Sequence, residues 1–125
     1  MAEKNGIYKC LICGNVIEVI EPHEGTLACC GHEMQFMAEQ KKDTGMEKHA
    51  PIIKKENGKI IIEIGSIPHP MEEAHYIELV QLFNGEKEIA SKRPQPGEKP
   101  RAEFCVNAEN PRARALCNIH GLWTS

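Results

Sequence analysis

The sequence predicts an all-β protein in two parts, a small metal-knuckle segment followed by a sandwich of about seven strands. Three observations predict it. Short β-branched runs are separated by Asn-Gly and Pro/Gly turns at the intervals of a sandwich. No stretch carries a helical period of convincing length. Four of the six cysteines crowd into the first 30 of 125 residues, a length that suits one ordinary domain or two small ones.

Val16, Ile17, Val19 and Ile20 read as a short strand after a first cysteine knuckle; Leu27 enters a second knuckle, and Met34, Phe36 and Met37 leave it. Residues 1–37 are too few to bury a sufficient core, because below ~40 residues a metal, disulfide or partner is normally required. Residues 38–46 are polar, lack a period and read as a linker. Residues 47–125 form the sandwich. Pro51 to Lys55 and Lys59 to Ile64 flank Glu56-Asn57-Gly58, the strongest short hairpin signal. A second Asn-Gly, Asn84-Gly85, separates His75 to Phe83 from Lys87 to Ala90. A Pro/Gly-rich loop over 93–100 precedes a strand from Ala102 to Val106, and Arg112 to Cys117 reads as a strand or a short helical turn.

Composition excludes several classes. The formal charge of −3 gives no global basic field for nucleic acid or an anionic membrane. Lys92, Arg93, Lys99, Arg101, Arg112 and Arg114 are mixed with acidic residues and lack interleaved aromatics. The longest aliphatic run, Ile60-Ile61-Ile62, is far below the ~18 apolar residues of a spanning helix. Met1 to Gly6 leads into no apolar signal core, so a cytoplasmic protein is expected.

The cysteines stand at 10, 13, 29, 30, 105 and 117. A disulfide framework is one reading of an even count. Without a secretory signal, Cys10-x-x-Cys13 with the vicinal pair Cys29-Cys30 resembles instead a four-thiolate metal site, with Gly14 and Gly31 supplying permissive backbone after each half. Four thiolates suit zinc or iron equally. Adjacent cysteines cannot both take the relaxed knuckle geometry, which makes the site unusual without naming the ion. His23 and His32 read as exposed loop residues, and Cys105 as a small buried side chain in an apolar strand.

A second set lies in the sandwich. His69 is locked between Pro68 and Pro70, which fixes an extended loop leading to His75 at the head of a strand. Cys117-Asn118-Ile119-His120 lets thiolate and imidazole reach one ion. With His49 these make five ligands, more than tetrahedral zinc accepts. Four imidazoles in a plane over a thiolate would leave one face open, an arrangement that points to iron and to inner-sphere reduction of a small oxygen species.

Cys10-x-x-Cys13 with Cys29-Cys30, then Glu47-Lys48-His49, Pro68-His69-Pro70-Met71-Glu72-Glu73-x-His75 and Cys117-Asn118-x-His120-Gly121, together resemble the desulfoferrodoxins, two-iron superoxide reductases, over nearly the whole chain. The resemblance implies a desulforedoxin-like N-terminal domain with an Fe(Cys)4 centre at Cys10, Cys13, Cys29 and Cys30. It implies an immunoglobulin-like sandwich with an Fe(His)4(Cys) centre, His49, His69, His75 and His120 equatorial and Cys117 axial. It further implies one-electron reduction of superoxide to hydrogen peroxide without dioxygen release, a rubredoxin-like donor and a homodimer. Lys48, beside His49, would attract the anionic substrate and organise proton-delivering water; Glu47 would be a removable sixth ligand of ferric iron. Related one-iron reductases lack the Fe(Cys)4 centre, so its first expected role is structural, with electron relay second. The competing readings are a zinc-ribbon interaction module, an iron superoxide dismutase, which would be expected to carry a carboxylate where Cys117 stands, and a rubredoxin-like carrier, which would leave the His/Cys set unused.

Overall fold

A run of β-branched residues makes Lys59–Ile64 a strand, whose two-residue period sends Ile60, Ile62 and Ile64 to one face, where each is almost fully buried. In this computed structural model, which describes residues 2–41, 49–65 and 70–125, every regular element is a strand and no helix forms among the described residues. The chain divides into two units, Met1–Ala38 and Glu39–Ser125.

In the first unit β1 (Ile7–Lys9) lies between β2 (Val16–Glu18) and β5 (Gln35–Phe36), antiparallel to both. Ala28–Cys29 (β3) and His32–Glu33 (β4) form a separate hairpin. Among the described residues Tyr8, Cys10 and Met34 make a buried cluster here, with Val19, Leu27 and Cys29 packed on it, and Ile7 is buried as well. Leu11, Ile12 and Ile20 stay exposed. So small a core gives little hydrophobic stabilisation.

The described residues of the second unit form seven strands: β6 (Pro51–Glu56), β7 (Lys59–Ile64), β8 (Ile77–Asn84), β9 (Lys87–Lys92), β10 (Arg101–Phe104), β11 (Pro111–Cys117) and β12 (Gly121–Thr124). They form two antiparallel sheets, ordered β10-β7-β6 and β12-β11-β8-β9. Between them lie Ile60, Ile62, Ile64, Ile77, Val80, Leu82, Ala113, Ala115 and Cys117. The all-β sandwich expected from the turn spacing is the fold observed.

Both Asn-Gly signals form hairpins. Asn57 (φ 48°) and Gly58 (φ 76°) supply the paired positive φ of a type I′ turn between β6 and β7. Gly85 (φ 63°) opens the two-residue turn between β8 and β9. The segment Arg112 to Cys117 is strand, not a helical turn: its alternation puts Ala113, Ala115 and Cys117 in the core and Arg112 and Arg114 on the other face. There the two guanidinium groups lie 4.6 and 4.7 Å from the centre of the Phe83 ring. Arg114 is 3% exposed, and its Nε donates to Gln81 Oε1 at 3.0 Å. Glu39 and Gln40, within the stretch read as a linker, bond to this sheet through Arg112, Arg114, Leu122 and Thr124.

Cys105 corrects the sequence reading. It is exposed, because Ala102, Phe104 and Val106 face the core and Cys105 alternates with Glu103 onto the outer face.

Candidate metal centres

Two clusters of soft donors stand out, one in each unit. In the first, Cys10 precedes a turn closed by Gly14 N–H donating to Cys10 O at 2.9 Å and Cys10 N–H to Asn15 O at 2.8 Å. Gly14 meets that turn with φ 85°. The second half is the β3–β4 hairpin, whose two-residue turn is Cys30 (φ 54°) and Gly31 (φ 74°). Cys29 thus ends a strand while Cys30 opens a type I′ turn, and this difference in backbone is what turns adjacent cysteines toward one point. A left-handed conformation at a cysteine costs about 1–2 kcal/mol, the kind of local strain that collects at functional sites.

All four sulfurs lie within 4.8 Å of one another. Cys13 and Cys29 Sγ are 3.6 Å apart, Cys29 and Cys30 Sγ 3.9 Å. Sulfurs at ~2.3 Å from a tetrahedral ion would be ~3.8 Å apart, so the set fits a metal. No disulfide forms among the described cysteines. Backbone N–H groups of Cys13 and Ile12 hold the Cys10 thiol down to about 6. The Cys13 sulfur, then the other sulfurs, push Cys30 up to about 12 and raise Cys29. The Cys10 thiolate therefore forms readily, while Cys29 and Cys30 resist ionisation unless a cation offsets them.

The second cluster gathers at one end of the sandwich. His49, His75, Cys117 and His120 place their donor atoms within 4.8 Å of one another. His49, 5% exposed, stands just before β6; Cys117 ends β11 and His120 lies in the turn before β12. His49 Nε2 is 3.0 Å from His120 Nδ1, and Cys117 Sγ is 3.8 Å from the same nitrogen. Two nitrogens ~2.1 Å from one ion at right angles would be ~3.0 Å apart, so this donor set also fits a metal. The His120 ring meets His49 and His75 edge-on, with centroids 4.7 and 4.9 Å away. The His120 N–H donates to Cys117 Sγ at 3.4 Å, stabilising negative charge on that sulfur.

Asn118 was not singled out by its type, yet it ties the histidine loop to the cysteine turn. Its Oδ1 accepts the Tyr76 N–H at 3.0 Å and its Nδ2 donates to Ala74 O at 3.1 Å, on both sides of His75. The Glu72–His75 bridge, two bonds of 3.0 Å, closes that loop. Trp123 stacks on His49 at 4.9 Å and 14°. Only its position in the fold gives Trp123 away; Asn118 stands in the Cys117-Asn118-x-His120 motif, which does not show its bonds to Tyr76 and Ala74. Of the expected site residues, Glu47, Lys48 and His69 lie outside the described residues.

Comparison with known proteins agrees with both clusters. Residues 41–125 match the desulfoferrodoxin family, and residues 2–37 its N-terminal domain. A desulfoferrodoxin homolog of Archaeoglobus fulgidus is 45% identical over 125 residues, covering 100% of this chain and 99% of its own. The superoxide reductase of Treponema pallidum shares the fold, with a TM-score of 0.76 over 96% of each chain at 23% identity. The one-iron superoxide reductase of Giardia intestinalis, at 33% identity, aligns over 63% of this chain and 95% of its own with a TM-score of 0.56. With family matches that span nearly the whole sequence, a four-cysteine cluster in the first unit and a histidine–cysteine cluster in the second, the chain belongs to the desulfoferrodoxin family.

Proposed function

We propose that this protein is a superoxide reductase, an oxidoreductase in which superoxide, one electron and two protons give hydrogen peroxide. The observation that carries this reading is the convergence of His49, His75, Cys117 and His120 in a member of this family. Iron is the metal for both clusters: Cys10, Cys13, Cys29 and Cys30 hold one ion, and His49, His75, His120 and Cys117 the other, with His69 as the fourth imidazole. Ferrous iron, when bound by the second set, supplies the single electron that superoxide takes up.

The chain's own residues prepare the rest. The buried Cys117 sulfur accepts the backbone N–H of His120, a bond that would steady a metal-bound thiolate away from water. Lys48 draws in an anionic substrate that the net charge of −3 would repel, and orders water for proton delivery. Glu47 would offer a hard carboxylate suited to ferric more than to ferrous iron, a ligand that reduction would release.

The division of labour follows: residues 1–37 form the Fe(Cys)4 domain, 38–46 a connecting stretch and 47–125 the reductase domain. A rubredoxin-like protein supplies electrons. A homodimer would give the small N-terminal domain a partner surface, and the cytoplasm would keep its thiols reduced. Among the described residues no helix is long and apolar enough to cross a membrane.

The test is stoichiometric. With a superoxide source and reduced rubredoxin, a reductase consumes one external electron per superoxide and releases no dioxygen. Dioxygen release at half the superoxide consumed, without donor oxidation, would make it a dismutase instead.

A further inference from the structure

Two donors converge on one backbone oxygen in the turn that carries Cys117 and His120. Gln40 Nε2 donates to His120 O at 2.9 Å, and Trp123 Nε1 donates to the same oxygen at 3.2 Å. A carbonyl oxygen has two lone pairs, and both are engaged here by side chains of fixed direction.

Gln40 arrives from 80 residues away and is itself held. Its N–H donates to Leu122 O at 2.9 Å and its carbonyl accepts from Thr124 N at 2.8 Å, a parallel bridge with Trp123. The preceding Glu39 carboxylate accepts from Arg112 at 3.1 Å and Arg114 at 3.2 Å. The Trp123 ring, besides its N–H, covers one face of His49. His120 is exposed where His49 and Cys117 are buried, so packing alone does not fix it. Anchoring of its backbone supplies that constraint.

We propose that Gln40 and Trp123 are positioning residues of the histidine–cysteine centre. They lock the His120 carbonyl, and with it the Cys117–His120 turn, so that the His120 ring keeps its place beside His49 and Cys117. This rests on the reading that these side chains hold iron. Partners bonded to a ligating side chain typically change metal affinity 10–100-fold; Gln40 and Trp123 act one step further out, through the ligand's backbone, so the low end of that range, about 10-fold, is expected.

The test uses the iron-loaded full chain with Gln40→Met, Trp123→Phe and the double variant. Methionine keeps the length of glutamine without its N–H; phenylalanine keeps an aromatic face on His49 without the indole donor. A chelator is added and iron loss from each centre is followed by its own optical band, the four-cysteine centre serving as internal control. Each single variant speeds loss from the histidine–cysteine centre about 10-fold and shifts its ferric thiolate charge-transfer band and midpoint potential, with the four-cysteine centre unchanged. The double variant does more. Should it fold poorly, the single variants decide. Unaltered release and spectrum, or equal acceleration at both centres, overturns the proposal. A parent chain that takes iron only at the four cysteines overturns the functional reading and this one with it, whereas a fully loaded parent with indifferent variants overturns this one alone.

Discussion

A sulfur that is 1% exposed and accepts the His120 N–H at 3.4 Å can hold a charge that water does not screen. Replacing it with a hard, weakly basic oxygen removes that donor: Cys117→Ser should abolish the thiolate charge-transfer band of the ferric protein and lower superoxide turnover by at least 100-fold, read by pulse radiolysis. Lys48 acts at a distance, so Lys48→Ala should slow the second-order encounter about tenfold and flatten its dependence on ionic strength; an unchanged salt slope would remove it from the mechanism. At the four cysteines, the sign of the pH effect follows from the two directions of shift. Cys30, pushed up to about 12, is a thiol at neutral pH and gives its proton to solvent on metal binding. Cys10, held down to about 6, is a thiolate at pH 8 and a thiol at pH 5. Metal binding should therefore weaken as pH falls and release about one more proton per ion at pH 5 than at pH 8, measurable by titration calorimetry in buffers of different ionisation enthalpy. Metal-binding side chains were legible because identity and short spacing carry their chemistry, as in Cys10-x-x-Cys13 and Cys117-x-x-His120. The roles of Gln40, Asn118 and Trp123 were not, because the Gln40–His120, Asn118–Tyr76 and Trp123–His49 contacts each join residues tens of positions apart. Cys105 was misread because its apolar neighbours Phe104 and Val106 face the core, and in a strand that puts the residue between them on the outer face.

Among the elements, the sandwich strands announced themselves where they were long and bounded by Asn-Gly. β7 and β8 are six and eight residues, enough for alternation to show. β1, β3, β4 and β12 are two to four residues, and no period can be read over such lengths. The same type I′ geometry that Asn57-Gly58 advertises was hidden at Cys30-Gly31, since cysteine is not a turn residue by habit. The outer face of β11 carries a further consequence. Arg114 is buried against Phe83, bonded to Gln81 and to Glu39, so Arg114→Met would leave Gln81 Oε1 short of its donor within the sheet. A loss of about 2–4 kcal/mol in urea unfolding is expected, with the m-value unchanged.

On the scale of the whole molecule, two units of unequal self-sufficiency share one chain. The sandwich buries a continuous core of isoleucine, valine, leucine and alanine. The first unit buries, among its described residues, Ile7, Tyr8, Cys10 and Met34. Stripping both metals should therefore erase amide protection over Ile7–Lys9 and Val16–Glu18 while Lys59–Ile64 and Ile77–Asn84 remain protected, read by hydrogen exchange. Equal protection of both units without metal would show that the small core suffices.

The chain contains a single tryptophan, and that indole lies face to face with His49. Its ultraviolet emission consequently reads one location and no other: a native fluorescent gauge of whether the histidine–cysteine pocket is filled, requiring neither dye nor label.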